Sequence, residues 1–147
     1  AGAHMRVKDI LNRKGSAVAT IDPDASVADA VATLHERRIG AVVVSADDAS
    51  ISGILSERDV VGALATMGPA VLTATVRQIM TAEVLTCEPE DELRSLAITM
   101  TDKRFRHMPV VVDGKLAGIV SIGDVVKHRV DELQTEHDQL MDYISSG

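Results

Sequence analysis

Gly118-Ile119-Val120-Ser121-Ile122-Gly123-Asp124-Val125-Val126 repeats the pattern of an earlier stretch: Gly53-Ile54-Leu55-Ser56-Glu57-Arg58-Asp59-Val60-Val61. Both run glycine, two branched apolar residues, serine, two variable positions, aspartate and two valines, at an offset of 118 − 53 = 65 residues. A nine-residue pattern that occurs twice in 147 residues makes an internal repeat the first hypothesis about the fold. Each copy reads as a strand that turns into a helix. The serine is placed to cap that helix, and the aspartate three residues on is placed to reach back.

The flanks repeat as well. Val7-Lys8-Asp9-Ile10-Leu11 and Val76-Arg77-Gln78-Ile79-Met80 are short amphipathic turns that open each copy. Residues 18–21 and 84–87 predict strands, stopped by Asp22-Pro23-Asp24 and Glu88-Pro89-Glu90, where a proline between acids marks a turn before a helix. Ser26-Val27-Ala28-Asp29 has capping-box spacing. Val27, Ala30, Val31 and Leu34 then form one apolar helix face, and Leu93, Leu96, Ala97 and Met100 form its counterpart. Both helices end on basic residues, Arg37-Arg38 and Lys103-Arg104, which suits the negative end of the helix dipole.

Ala41-Val42-Val43-Val44 and Met108-Pro109-Val110-Val111-Val112 predict fully buried strands. Turns follow at Asp47-Asp48-Ala49-Ser50 and at Asp113-Gly114-Lys115, the second with an Asp-Gly hairpin signal. Residues 51–55 and 116–120 are the returning strands, and each enters a Ser-x-x-Asp corner. The expected fold is therefore α/β (α+β), two pseudo-symmetric β-α-β-β-α repeats packed sheet to sheet. Residues 5–66 make the first repeat, 67–75 a linker with the breaker Met67-Gly68-Pro69-Ala70, 76–129 the second repeat and 130–147 a helical extension. A repeat of about 60 residues buries too little surface to be comfortable alone. Ala1-Gly2-Ala3-His4 reads as a cloning scar before a native Met5.

In the extension, Val126, Val130, Leu133, His137, Leu140 and Ile144 follow 4-3-4-3-4 spacing, a heptad seam. It suits either a tail helix lying on its own domain or a contact with a second copy. Protonation of His137 would weaken a buried seam at low pH.

The composition excludes several function classes. The net charge of −7 and one Phe, one Tyr and no Trp fit neither phosphate-backbone binding nor base stacking. No apolar run reaches the roughly 20 residues of a membrane span. The single cysteine, Cys87, rules out an internal disulfide and fits a reducing cytoplasm; it stands where Ile21 stands in the first copy, a core position. No glycine-rich phosphate loop, nucleophile triad or metal-ligand spacing can be placed, so no catalytic or metal-binding residue is assigned.

What chemistry remains sits at the two corners. Ser56 with Asp59, and Ser121 with Asp124, are satisfied by helix capping alone. The same geometry also makes an anion site: free N–H groups and a positive dipole end. A serine hydroxyl there can bind phosphate oxygen, and an aspartate one turn in can accept both hydrogens of a ribose diol. Capping explains one corner better than it explains two in matching repeats.

The two repeats resemble a tandem pair of cystathionine-β-synthase (CBS) domains, a Bateman module, over about Val7 to Val126. The resemblance rests on the doubled Gly-h-h-Ser-x-x-Asp segment and on Arg106-His107-Met108-Pro109-Val110, for which the first repeat has Gly40-Ala41-Val42-Val43-Val44 without the proline. It implies a stand-alone, non-catalytic sensor that binds an adenosine-containing ligand (AMP, ADP, ATP, NAD(H) or S-adenosylmethionine) in the cleft between repeats, with no cofactor required. By the same resemblance Asp59 and Asp124 hold ribose, and Ser56 and Ser121 contact phosphate or ribose. The backbone of Gly40, Ala41 and Val42, and of His107, Met108 and Pro109, frames adenine, with Thr20 and Thr86 at its edge. Arg58 and Arg106 are the expected phosphate partners. Gly123 stands opposite Arg58, so the two sites are expected to differ in affinity. A disc-like homodimer, a regulated partner protein and a cytoplasmic setting complete the expectation. The competing readings are a scaffold protein with decayed sites and, lower, a nucleotide-hydrolysing enzyme.

Overall fold

A computed structural model describes residues 4–146; of the expected tag remnant, residues 1–3 lie outside them. The elements run α1 (Val7–Lys14), β1 (Thr20–Ile21), α2 (Val27–Arg37), β2 (Ala41–Val44), β3 (Gly53–Ser56), α3 (Glu57–Met67), a 3₁₀ helix (Gly68–Thr73), α4 (Val76–Ile79), α5 (Leu93–Lys103), β4 (His107–Val112), β5 (Lys115–Ser121) and α6 (Ile122–Ser146). The chain is a mixed helix and strand protein with two small sheets.

It condenses into two compact units that do not follow the order of the repeats. Of the described residues, one unit collects 4–16, Thr86–Val111 and 118–146; the other holds Ala17–Leu85 and Val112–Ala117. The opening turns are thus exchanged: α1 folds with the body of the second repeat, and α4 with the body of the first.

In the unit built on the first repeat, β1 pairs parallel with β2 (Thr20 opposite Val43), and β2 pairs antiparallel with β3 (Ala41 opposite Ser56). All four residues of β2 are buried, as its unbroken apolar run predicts. Ser26 Oγ caps α2 by accepting from Asp29 N–H at 3.1 Å. The apolar face of α2 enters the core: Ala30 and Leu34 join Val42, Val44, Leu55 and Val76. Val27 packs with Val71 and Ala74, so the expected linker is a 3₁₀ helix with a fully buried valine at its centre.

In the other unit Leu93, Leu96 and Met100 of α5 pack with Val7, Ile10, Cys87, Met108, Val110, Val120 and Val125. The expected strand at 84–87 shrinks to a single parallel bridge, Cys87 to Val110, with Cys87 N–H donating to Pro109 C=O and Val111 N–H to Cys87 C=O. Cys87 is a core residue, and burial, with the charge of Asp91 adding to it, pushes its thiol up to about 12. The second apolar strand differs from expectation: Met108, Pro109 and Val110 are buried, but Val112 is 45 % exposed. The strand leaves the core on its way to the hairpin tip, where Asp113 and Gly114 take φ of 52° and 76°, the positive pair that a tight two-residue turn needs.

The heptad seam of α6 does not lie on its own unit. That unit receives Val125, His128 and Glu132, while Val126, Val130, Leu133, Leu140 and Ile144 are 47–60 % exposed and His137 is exposed. Of the two readings of the extension, the tail helix docked through its seam is set aside. No helix among the described residues is long and apolar enough to cross a membrane.

Candidate functional site

Each Ser-x-x-Asp segment is a strand-to-helix corner with reciprocal capping. In the first, Asp59 N–H donates to Ser56 Oγ at 3.2 Å, and Ser56 N–H donates to Asp59 Oδ2 at 2.9 Å. In the second, Asp124 N–H donates to Ser121 Oγ at 3.1 Å, and Ser121 N–H donates to Asp124 Oδ2 at 3.0 Å. The capping reading is therefore true of both corners. It leaves the serine and aspartate part-exposed at the start of α3, 11 residues long, and of α6, 25 residues long. These are the ends where free N–H groups and the dipole favour negative charge.

The motif glycines are needed for close approach. A Cβ on Gly53 would stand 2.5 Å from the Thr81 carbonyl oxygen, because Ile54 and Thr81 exchange two backbone hydrogen bonds at 2.9 Å. A Cβ on Gly118 would meet the Leu11 side chain at 2.9 Å. In each unit the exchanged opening segment lies on the motif glycine.

The framing backbone converges on the corners. Gly40 C=O accepts from Glu57 N–H at 3.0 Å, and Arg106 C=O accepts from Ile122 N–H at 2.8 Å. Gly40 and Ala41 thus adjoin Ser56, and Arg106 and His107 adjoin Ser121. Val42, Met108 and Pro109 follow inward along the strands and are buried. Arg58 and Arg106 are exposed and enter no ion pair among the described residues. Thr20 stands across β2, opposite Val43, and its hydroxyl donates to Asp48 in the β2–β3 turn; Thr86 is exposed beside Cys87. A surface depression of about 450 Å³, lined by Leu34, His35, Glu36, Arg38, Ile39 and Glu57, touches the first corner only at Glu57.

Sequence reasoning missed what rests on the two carboxylates. Thr81 Oγ1 donates to Asp59 Oδ1 at 3.1 Å. Lys14 Nζ donates to Asp124 Oδ2 at 2.6 Å. Burial would raise the Asp124 carboxyl, but the hydrogen bond from Lys14, the Ser121 N–H and the charge of Lys14 outweigh it and hold the group below its ordinary value of 3.8. The signal in the sequence was that both partners follow the opening turns at 7–11 and 76–80, each of which folds with the body of the other repeat. His128 adds support from below: its Nδ1 lies 2.8 Å from Asp124 C=O, so that nitrogen carries the proton. No group of three or more His, Cys, Asp or Glu among the described residues could hold a metal ion.

Two bodies of mixed helix and strand, each closing on a capped Ser-x-x-Asp corner, define the molecule as a duplication. The CBS domain model matches residues 7–66 and 76–131, and the chain belongs to the CBS-domain family. It is 34 % identical over 149 residues to a mitochondrial CBS domain-containing protein of Arabidopsis thaliana, covering 96 % of this chain and 72 % of the other. Its structure is similar to that of a CBS-domain-containing protein from Agrobacterium tumefaciens, at 49 % identity and a TM-score of 0.82, covering 85 % of this chain and 99 % of that one. A CBS domain pair solved with 5′-methylthioadenosine and S-adenosyl-L-methionine is similar at 25 % identity and a TM-score of 0.77 over 88 % of this chain and 98 % of that one. A CBS domain protein from Pyrobaculum aerophilum complexed with AMP is similar at 26 % identity and a TM-score of 0.72 over 82 % and 89 %.

Proposed function

We propose that this protein is a non-catalytic regulatory module that senses an adenosine-containing ligand of the AMP, ADP, ATP, NAD(H) or S-adenosylmethionine class. The observation that carries the reading is the doubled corner. Asp59 and Asp124 each sit one turn inside a helix, where a ribose diol can be accepted. Ser56 and Ser121 stand at the helix N-termini, suited to phosphate or ribose oxygen. The strand backbone at Gly40–Ala41 and at Arg106–His107 runs beside the corners, where it can frame a base, and Arg58 and Arg106 are exposed guanidinium groups, in no ion pair among the described residues, that suit phosphate. The relatives solved with AMP and with S-adenosyl-L-methionine support the adenosyl class. Ligand binding then acts by shifting a conformational or assembly equilibrium, with a regulated protein as the recipient.

Thermal shift and calorimetry across adenine ligands test this. A binding ligand is expected to raise Tm by mass action, and Asp59→Ala and Asp124→Ala are each expected to remove binding at their own corner. No shift with any of these ligands at millimolar concentration, with both variants behaving as wild type, would leave a scaffold protein with decayed sites.

A homodimer through α6 belongs to the same proposal. The seam of Val126, Val130, Leu133, Leu140 and Ile144 is exposed, and the same seam of a second copy would cover it. Sedimentation should report a dimer, and Leu140→Glu should yield a folded monomer.

A further inference from the structure

We propose that Lys14 joins Arg106 as a cation of the second-repeat corner, taking the place proposed above for Arg58 in the first, so that this corner selects adenosine ligands bearing a 5′-phosphate over those without one. The inference rests on the nucleotide-binding reading above and names the ligand class of one of its two sites. By sequence the first turn of the helix at the second corner lacks a cation of its own, because Gly123 stands opposite Arg58, and Arg106 on the neighbouring strand is left to serve that corner. In the folded chain a second cation comes from a different element. Lys14 is the last residue of α1, and its ammonium lies 2.6 Å from Asp124 Oδ2.

That placement is built rather than incidental. Val7 and Ile10 anchor α1 with no exposed surface, and the helix stops just beyond Lys14, where Gly15 takes φ of 90° and its N–H donates to Leu11 C=O at 2.8 Å. The Lys14 side chain is 34 % exposed and that of Asp124 is 25 % exposed, so the pair is partly sheltered and still open to a ligand. Asp59 offers the contrast: its added partner is the neutral hydroxyl of Thr81, and it enters no ion pair among the described residues.

The chemistry follows from charge. A bare carboxylate accepts a ribose diol but repels a phosphate close by. With an ammonium on it the corner is locally neutral, and a lysine has three donors on a flexible stem, enough to hold the carboxylate and a phosphate oxygen together. The same ammonium disfavours a sulfonium carried near the ribose.

The test is calorimetric titration of the full chain with adenosine and with AMP, in an Asp59→Ala background that silences the first corner. Lys14→Gln is expected to weaken AMP binding about tenfold, the size of one charge-assisted hydrogen bond, and to change adenosine binding less than about threefold. Lys14→Arg is expected to keep AMP within about threefold of the parent. AMP binding that is unchanged or tighter in Lys14→Gln overturns the proposal, since Lys14 would then be structural or a plug on the site. If Asp59→Ala removes all binding, the same contrasts are read at the Asp124 carboxyl of the otherwise wild-type chain by NMR. Failure of the wild-type chain to bind AMP overturns the proposal, and failure to bind any adenine ligand of the class overturns the underlying reading; both are seen before any variant is made.

Discussion

The first corner and the second share their capping hydrogen bonds, and they differ in what rests on the carboxylate. The difference traces to where the opening helix of each unit stops. In one unit α4 ends after 4 residues, Met80 is extended, and Thr81 bridges Ile54, which carries its hydroxyl to Asp59. In the other α1 runs for 8 residues and ends on Lys14 at Asp124. Two bodies of one design thus acquire different electrostatics from a change in helix length elsewhere in the chain.

The sharpest way to break the comparison is at the motif glycines. Gly53→Ala drives a methyl into the Thr81 backbone, which is held by two hydrogen bonds, and is expected to cost about 3 kcal/mol. Gly118→Ala meets the end of the Leu11 side chain, which can rotate away, and is expected to cost about 1 kcal/mol. Chemical denaturation of both variants checks the ratio, and equal costs would show that the two openings press on their corners alike.

The next test asks where the units are the same. Helices α2 and α5 both end on an arginine in the left-handed region, Arg38 at φ 53° and Arg104 at φ 59°. Glycine adopts that conformation without the clash of a Cβ. Arg38→Gly and Arg104→Gly are each expected to stabilise by about 1 kcal/mol, and a gain at only one would reveal a contact that the other arginine lacks.

The smallest effect belongs to the ion pair. Lys14→Gln is expected to lower stability at neutral pH by less than about 1 kcal/mol, because both partners remain part-exposed to solvent. Its pH signature is more informative. Asp124 is held below 3.8 in the fold, so its contribution is fully present above that value and is lost as pH falls through the lowered one. Removing Lys14 should raise the Asp124 pKa, which carboxyl NMR reads directly, and shift the onset of acid unfolding to higher pH.

Much of this molecule was legible before folding because its code is local. Capping at Ser26, Ser56 and Ser121, the apolar faces of α2 and α5, the buried run at Ala41–Val44 and the Asp113-Gly114 turn each depend on residues within one or two turns of one another. The α6 seam was legible as a pattern, but its direction was not. Periodicity identifies two possible faces of a helix, and only packing chooses between them; here Val125, His128 and Glu132 were chosen.

By itself the sequence determined the duplication, the strand-to-helix corners and the residues that cap them, since these follow from spacing and side-chain type. Tertiary structure alone decided which opening segment joins which body, and so which group meets each carboxylate. The physical reason is chain separation. Lys14 and Asp124 lie 124 − 14 = 110 residues apart, and no local propensity reports on a contact that is made only when distant segments condense on one core.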